Sequence, residues 1–138
     1  MTYQALSIVG TGCLKIVAGL KTIEVRSWPP PVVPMKDLLI VQNTIYLKED
    51  GDFDPDGEAV ALVDVNHVEP WTKNQFEAAM AVTFKEGLTG WHLTNVRKVK
   101  CNHRVLAARK IYEVEVDLEI IGHDKHVVSP AKAGGQCL

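Results

Sequence analysis

The chain has 138 residues, 46% of them apolar and 23% charged. That size and composition predict one domain with a single core and exclude a wholly disordered chain. With 15 basic and 17 acidic residues the net charge is −2 and the pI about 6.2, so any nucleic-acid role has to come from a local patch or pocket rather than from bulk charge.

Met1 to Gly10 lacks a basic stretch followed by an apolar core and does not read as a secretion signal. Tyr3 to Val9 alternates apolar positions and predicts a strand. Thr11-Gly12 reads as a helix start with Thr11 as N-cap, and Cys13, Leu14, Ile16, Val17 and Leu20 supply an apolar face. Gly19 is placed to end that helix. Thr22 to Ser27 reads as a strand that puts Thr22, Glu24 and Arg26 on one face and Ile23 and Val25 on the other. Trp28 and Pro29-Pro30-Pro31 then form a stiff loop.

Leu38 to Gln42 predicts a buried strand, Lys48 to Glu58 an acidic loop, and Val60 to Val68 a valine-rich strand. Pro70-Trp71-Thr72 reads as the opening of a second helix over 73–84, with Thr72 as its cap. Trp91 to Val99 and Ile111 to Ile121 are further strands. From Gly122 onward periodicity is lost, and Ala133-Gly134-Gly135 has the composition of a flexible tail. The expected architecture is therefore α+β: a small mixed β-barrel with two or more packed helices over residues 1–121, then a flexible tail over 122–138. No stretch is long and apolar enough for a membrane span. Cys13, Cys101 and Cys137 lack the number and spacing of a disulfide framework or a zinc site, so reduced thiols in a cytoplasm are expected.

Three segments carry chemistry. In Gly19-Leu20-Lys21-Thr22-Ile23-Glu24-Val25-Arg26, two cations flank a carboxylate within six residues. Arginine reads phosphates and carbonyl edges in bidentate fashion. A lysine can act as base or nucleophile, and a glutamate as proton acceptor or donor. The plain alternative is a solvated strand face with an ion pair. From Arg97 to Lys110 stand Arg97, Lys98, Lys100, Arg104, Arg109 and Lys110, six of the 15 basic residues. A phosphate backbone can follow such a stripe, with Trp91 and Tyr112 near enough in sequence to stack on bases; a solvated basic loop is the alternative. Asp52-Phe53-Asp54-Pro55-Asp56-Gly57 matches the first half of a calcium loop. Val63 stands where the bidentate glutamate belongs, so an acidic turn is expected instead.

The first segment resembles the GxKxxExR signature of the ASCH domain, a PUA-like family. Gly90-Trp91-His92-Leu93-Thr94-Asn95-Val96-Arg97 resembles that family's second motif, and the Val60 to Val65 strand stands where the family has its valine-rich strand. The resemblance covers roughly Tyr3 to Val116. It implies a PUA-like barrel that binds RNA or a modified nucleoside in a cleft around the signature. Combined with the residue chemistry above, Lys21 and Glu24 would be the reacting groups, with Arg26, Trp28, Arg97, Lys98, Lys100 and Arg104 as ligand-binding residues. The alternative it implies is an enzyme, either a ribonuclease or an amidohydrolase acting on N4-acetylcytidine. That amidohydrolase branch has a threonine where this chain has Glu24, and no motif here matches its catalytic carboxylate, so Glu77 is named for that role without a motif behind it. No cofactor or metal is expected. His67 and His92, separate histidines on strands, read as structural, and Asp64 is the one buried-looking carboxylate. Ser7 belongs to no nucleophile motif.

Overall fold

Leu38-Leu39-Ile40-Val41 is a continuous apolar run, and all four residues are fully buried in the computed structural model. A run without alternation means that both faces of its strand are covered. The structure describes residues 1–123. Within them lie β1 (Thr2–Val9), α1 (Gly12–Val17), β2 (Ile23–Arg26), β3 (Met35–Asn43), β4 (Phe53–Pro70), β5 (Thr89–Lys100), β6 (Val105–Ala108), β7 (Ile111–Glu115) and β8 (Glu119–His123).

The sheet order is β2-β5-β4-β3-β1-β7, with β6 added to β4 and β8 to β5. Among the described residues only β1 and β3 pair in parallel; every other pairing there is antiparallel. Register shifts along β3, β4 and β5 mark bulges, the local kinks that curl a sheet. The result is a half-barrel. One face packs Leu6, Leu38, Ile40, Val63 and Trp91 beneath Cys13 and Ile16 of α1. The other packs Ala5, Leu39, Val41 and Leu62 against Val105, Ala107 and Val116. Where β4 crosses β6 only glycine fits: a Cβ on Gly57 would stand 2.5 Å from the Val105 carbonyl oxygen.

The expectation of two or more packed helices is corrected: among the described residues there is one α-helix, on an otherwise sheet-built molecule. Thr72 does begin a helical turn, and its amide donates to the Gln75 side chain at 3.1 Å, but only a 3-10 turn over Lys73–Gln75 forms. The chain then turns out at Met80, whose φ is +53°. The Met80 and Ala81 amides donate back to Glu77 O and Phe76 O, a Schellman stop. Tertiary partners win over local helix propensity here. The Ala78 carbonyl accepts from the Thr22 and Ile23 amides of the β2 approach, and the Ala79 carbonyl accepts from Lys21 Nζ. Trp71, Ile23 and Ala79 close a small separate core with Phe76 and Phe84.

Two boundaries also move. The expected acidic loop over 48–58 ends early, because β4 starts at Phe53, and β6 lies inside the basic stretch that reads as a loop. The expected tail over 122–138 lies, after the Gly122 and His123 of β8, outside the described residues, as does Cys137.

Candidate functional site

The segment 19–26 owes its geometry to the end of α1. Gly19 takes φ +81°, and the Gly19 and Leu20 amides donate to Ile16 O and Lys15 O. This second Schellman stop throws the chain directly into β2. Thr11 does occupy the N-cap position of α1, but its side chain makes no capping bond.

On β2, opposite Trp91 of β5, Glu24 is buried, with 6% of its surface exposed. Two cations clamp it. Lys21 Nζ stands 3.2 Å from Oε1, and Arg26 Nε donates to Oε2 at 2.8 Å. A buried carboxylate needs such partners, because desolvation alone disfavours its charge. Lys21 also donates to Ala79 O at 2.8 Å, so its ammonium is held between Glu24 and that carbonyl. Arg26 Nη2 donates to Ser7 O at 3.2 Å, and its guanidinium lies 5.9 Å over the Trp28 ring. Trp28 in turn packs edge-on against Trp91 at 5.1 Å. Among the described residues Arg26 Nη1 makes no hydrogen bond to protein.

Beside Arg26 opens a cleft of about 340 Å³, lined by Ser7, Ile8, Val9, Glu24, Val25, Arg26, Asn43, Tyr46, Leu47, Arg109 and Lys110. Its walls are the parallel ends of β1 and β3, the edge of β2, the loop after β3 and the turn between β6 and β7. Arg109 is tied to that loop by Asp50 at 3.1 Å, and Lys110 takes φ +60° in the turn. Asn43 is buried, with its amide nitrogen on Ile45 O. Tyr46 is exposed at the rim. Three cations thus face one carboxylate that is already paired. Lys21 and Trp28 stand behind this lining as supports of Glu24 and Arg26.

The basic stretch 97–110 is divided by the fold. Only its far end, Arg109 and Lys110, reaches the cleft. Arg97 belongs to a second cluster, where Nη2 meets Asp64 Oδ1 at 2.8 Å, Nη1 meets Asp37 and Nε donates to Asn95 O at 2.9 Å. Asn95 Nδ2 and the Asp37 amide also donate to Asp64, each at 3.0 Å. Asp37 and Asn95 both have positive φ, so this network pins two strained backbone positions at strand irregularities. Burial pushes the Asp64 carboxyl up, but the bonds from Asn95 and Asp37 and the charges of Arg97 and Lys36 outweigh it and leave the group below its ordinary value. Lys98 and Lys100 are exposed on β5. Arg104 borders a separate surface depression with Glu58, Asn102 and His103.

The remaining sequence candidates have plain partners. Asp52 accepts from the Lys48 and Glu49 amides, and Asp54 from the Asp56 amide at 2.9 Å, so the acidic turn is knit to its own backbone. Burial pushes the Cys13 thiol up to about 12, the property of a structural rather than a reactive cysteine. Tyr112 is half-buried against the second face of the sheet and its hydroxyl donates to Leu106 O, Trp91 is fully buried, and neither lines the cleft. Glu77 is not a cleft residue; it borders a shallow apolar depression with Leu20, Phe76 and Met80. Ser7 lines the cleft but donates its hydroxyl to Ala108 O. The sequence reading missed Asn43 and Tyr46, because only the parallel pairing of β1 with β3 brings the loop after β3 to the signature. Among the described residues, no helix is long and apolar enough to cross a membrane.

The ASCH domain family matches residues 13–103 of the chain, a span that holds both the Gly19 to Arg26 segment and the Trp91 to Arg97 motif. Among solved structures, the chain is similar to a point mutant of the ZmASCH protein from Zymomonas mobilis. The identity is 15% and the TM-score 0.46, over 71% of this chain and 73% of that one. No curated protein matches the chain by sequence.

Proposed function

The chain belongs to the ASCH domain family, and on that premise we propose that it binds single-stranded RNA or a nucleotide in the cleft beside Arg26. The observation that carries the reading is the convergence of Arg26, Arg109 and Lys110 on the lining of one cleft. A cleft of this volume suits a nucleotide-sized ligand. Arg26 offers Nη1 to a phosphate oxygen. Its geometry is already fixed by Glu24, Ser7 O and Trp28, so little conformational freedom is lost on binding. Arg109 and Lys110 add charge from the turn between β6 and β7. Tyr46 offers a ring to a base, and Asn43 and Ser7 supply polar edges. In this reading Lys21 and Glu24 are positioning residues that hold Arg26.

The test is a salt series of RNA titrations. Each neutralised phosphate contributes about −0.7 to the slope of log K against log salt for single strands, so three contacts predict a slope of roughly −2. The R109A/K110A double variant is expected to bring it to about −0.7. An unchanged slope, or no RNA or nucleotide binding by the wild-type chain, overturns the proposal.

A further inference from the structure

Outside the cleft, β4 and β5 bring three metal-ligating side chains together. His67 and Glu69 are two residues apart on β4 and therefore share a face. The antiparallel register sets His92 of β5 directly across from His67. A bulge between Val65 and His67 adjusts the direction of the first histidine. Trp91, the neighbour of His92, points into the core, so these three groups stand on the face of the β4–β5 pair opposite to the one that meets α1.

We propose that His67, Glu69 and His92 form a binding site for a divalent transition-metal ion of the zinc class. One ligand atom from each residue lies within 4.8 Å of the others. His92 Nε2 is 2.6 Å from Glu69 Oε2 and His67 Nε2 is 3.5 Å from Oε1. Tetrahedral zinc with bonds of about 2.0–2.1 Å holds its donors about 3.3 Å apart. The two imidazole–carboxylate separations lie on either side of that value and the histidine nitrogens stand within 4.8 Å of each other, so side-chain rotations bring the three donors around an ion.

The donor set of two imidazoles and one carboxylate selects zinc, cobalt or nickel over magnesium and calcium, which take oxygen ligands. Three protein ligands leave a coordination position for water or a further ligand. The carboxylate is oriented from behind. Gln75 Nε2 donates to Glu69 Oε2 at 2.8 Å, and Gln75 is itself held by the Thr72 amide. Such an outer partner is a regular feature of metal sites. Both histidines reach solvent, with side-chain exposures of 62% and 31%, so an ion has direct access.

The test uses the full chain and metal salts alone. Calorimetric titration with zinc chloride is expected to give one tight site per chain, and cobalt chloride a visible spectrum of a low-symmetry nitrogen-oxygen site. His67→Ala and Glu69→Gln are expected to weaken zinc binding at least tenfold with an unchanged circular dichroism spectrum. Gln75→Ala is expected to weaken it by about tenfold, as loss of an outer partner does. Besides the buried Cys13, the other histidines and cysteines of the sequence are Cys101, His103, His123, His126 and Cys137, and a C101S/H103A/H123A/H126A/C137S variant is expected to keep the site. Wild-type affinity retained in an H67A/H92Q variant, or site loss in the variant lacking the competing ligands, overturns the proposal. So does the absence of zinc binding by the wild-type chain.

Discussion

Arg26 on β2 and Arg97 on β5 have closely matched surroundings. Each is the last residue of a motif, and each grips a strand carboxylate, Glu24 or Asp64, that is 6% exposed. In Arg97 all three guanidinium nitrogens meet protein groups: Asn95 O, Asp37 and Asp64. In Arg26 two nitrogens meet Glu24 and Ser7 O, and the arginine lines an open cleft. A saturated arginine is a structural clamp. One fixed at two points, with its third nitrogen beside an open cleft, keeps a donor for the ligand proposed above. The difference lies in neighbours remote in sequence, so residue type and spacing alone do not separate the two.

The contrast can be broken most sharply at Arg97. Arg97→Met leaves Asp64 buried with only Lys36, 3.8 Å away, as a cation. A loss of about 3 kcal/mol in unfolding free energy is expected, the low end for a broken buried pair. Urea denaturation measures it, and RNA affinity of the folded protein is expected to stay within twofold. The same cluster predicts a pH limb. The Asp64 carboxyl is lowered in the fold, so its contribution is complete above the ordinary carboxyl value of about 3.9. It is lost as pH falls through the lower folded value. Asp64→Asn is expected to flatten that acid limb of the stability curve.

A smaller effect is expected at the cleft rim. Tyr46→Ala removes a candidate stacking ring, and a loss of about 1.4 kcal/mol, tenfold in RNA affinity, is within the range for one base. Its melting temperature is expected to hold, because the side chain is exposed. A stability loss with unchanged affinity would place Tyr46 with the clamp residues instead. The smallest effect concerns the support behind Arg26. Met80 sits at positive φ in the turn that delivers the Ala79 carbonyl to Lys21. Met80→Gly is expected to raise stability by about 0.5 kcal/mol and to leave affinity unchanged, as befits scaffold.

Local chemistry made much of this legible in the sequence. The break at Gly19, the alternation of Thr22 to Arg26 and the apolar run at Leu38 to Val41 each depend on neighbours within a few residues. The helix expected over 73–84 failed for the opposite reason: its carbonyls at Ala78 and Ala79 are taken by Lys21, Thr22 and Ile23, more than fifty positions away. Asn43, Tyr46, Arg109 and Lys110 join the cleft only through strand order. The basic stretch misleads for the same reason, since its bonded partners divide it between a clamp, an open strand face and the cleft.

In the proposed function Arg26 reads a ligand while Arg97 holds the fold. Fluorescence anisotropy with a labelled single-stranded RNA, run in parallel on Arg26→Gln and Arg97→Gln under conditions where both are folded, tests it most directly. At least a tenfold loss of affinity is expected for Arg26→Gln and wild-type affinity for Arg97→Gln. Equal losses in both variants, or a loss in Arg97→Gln alone, would contradict it.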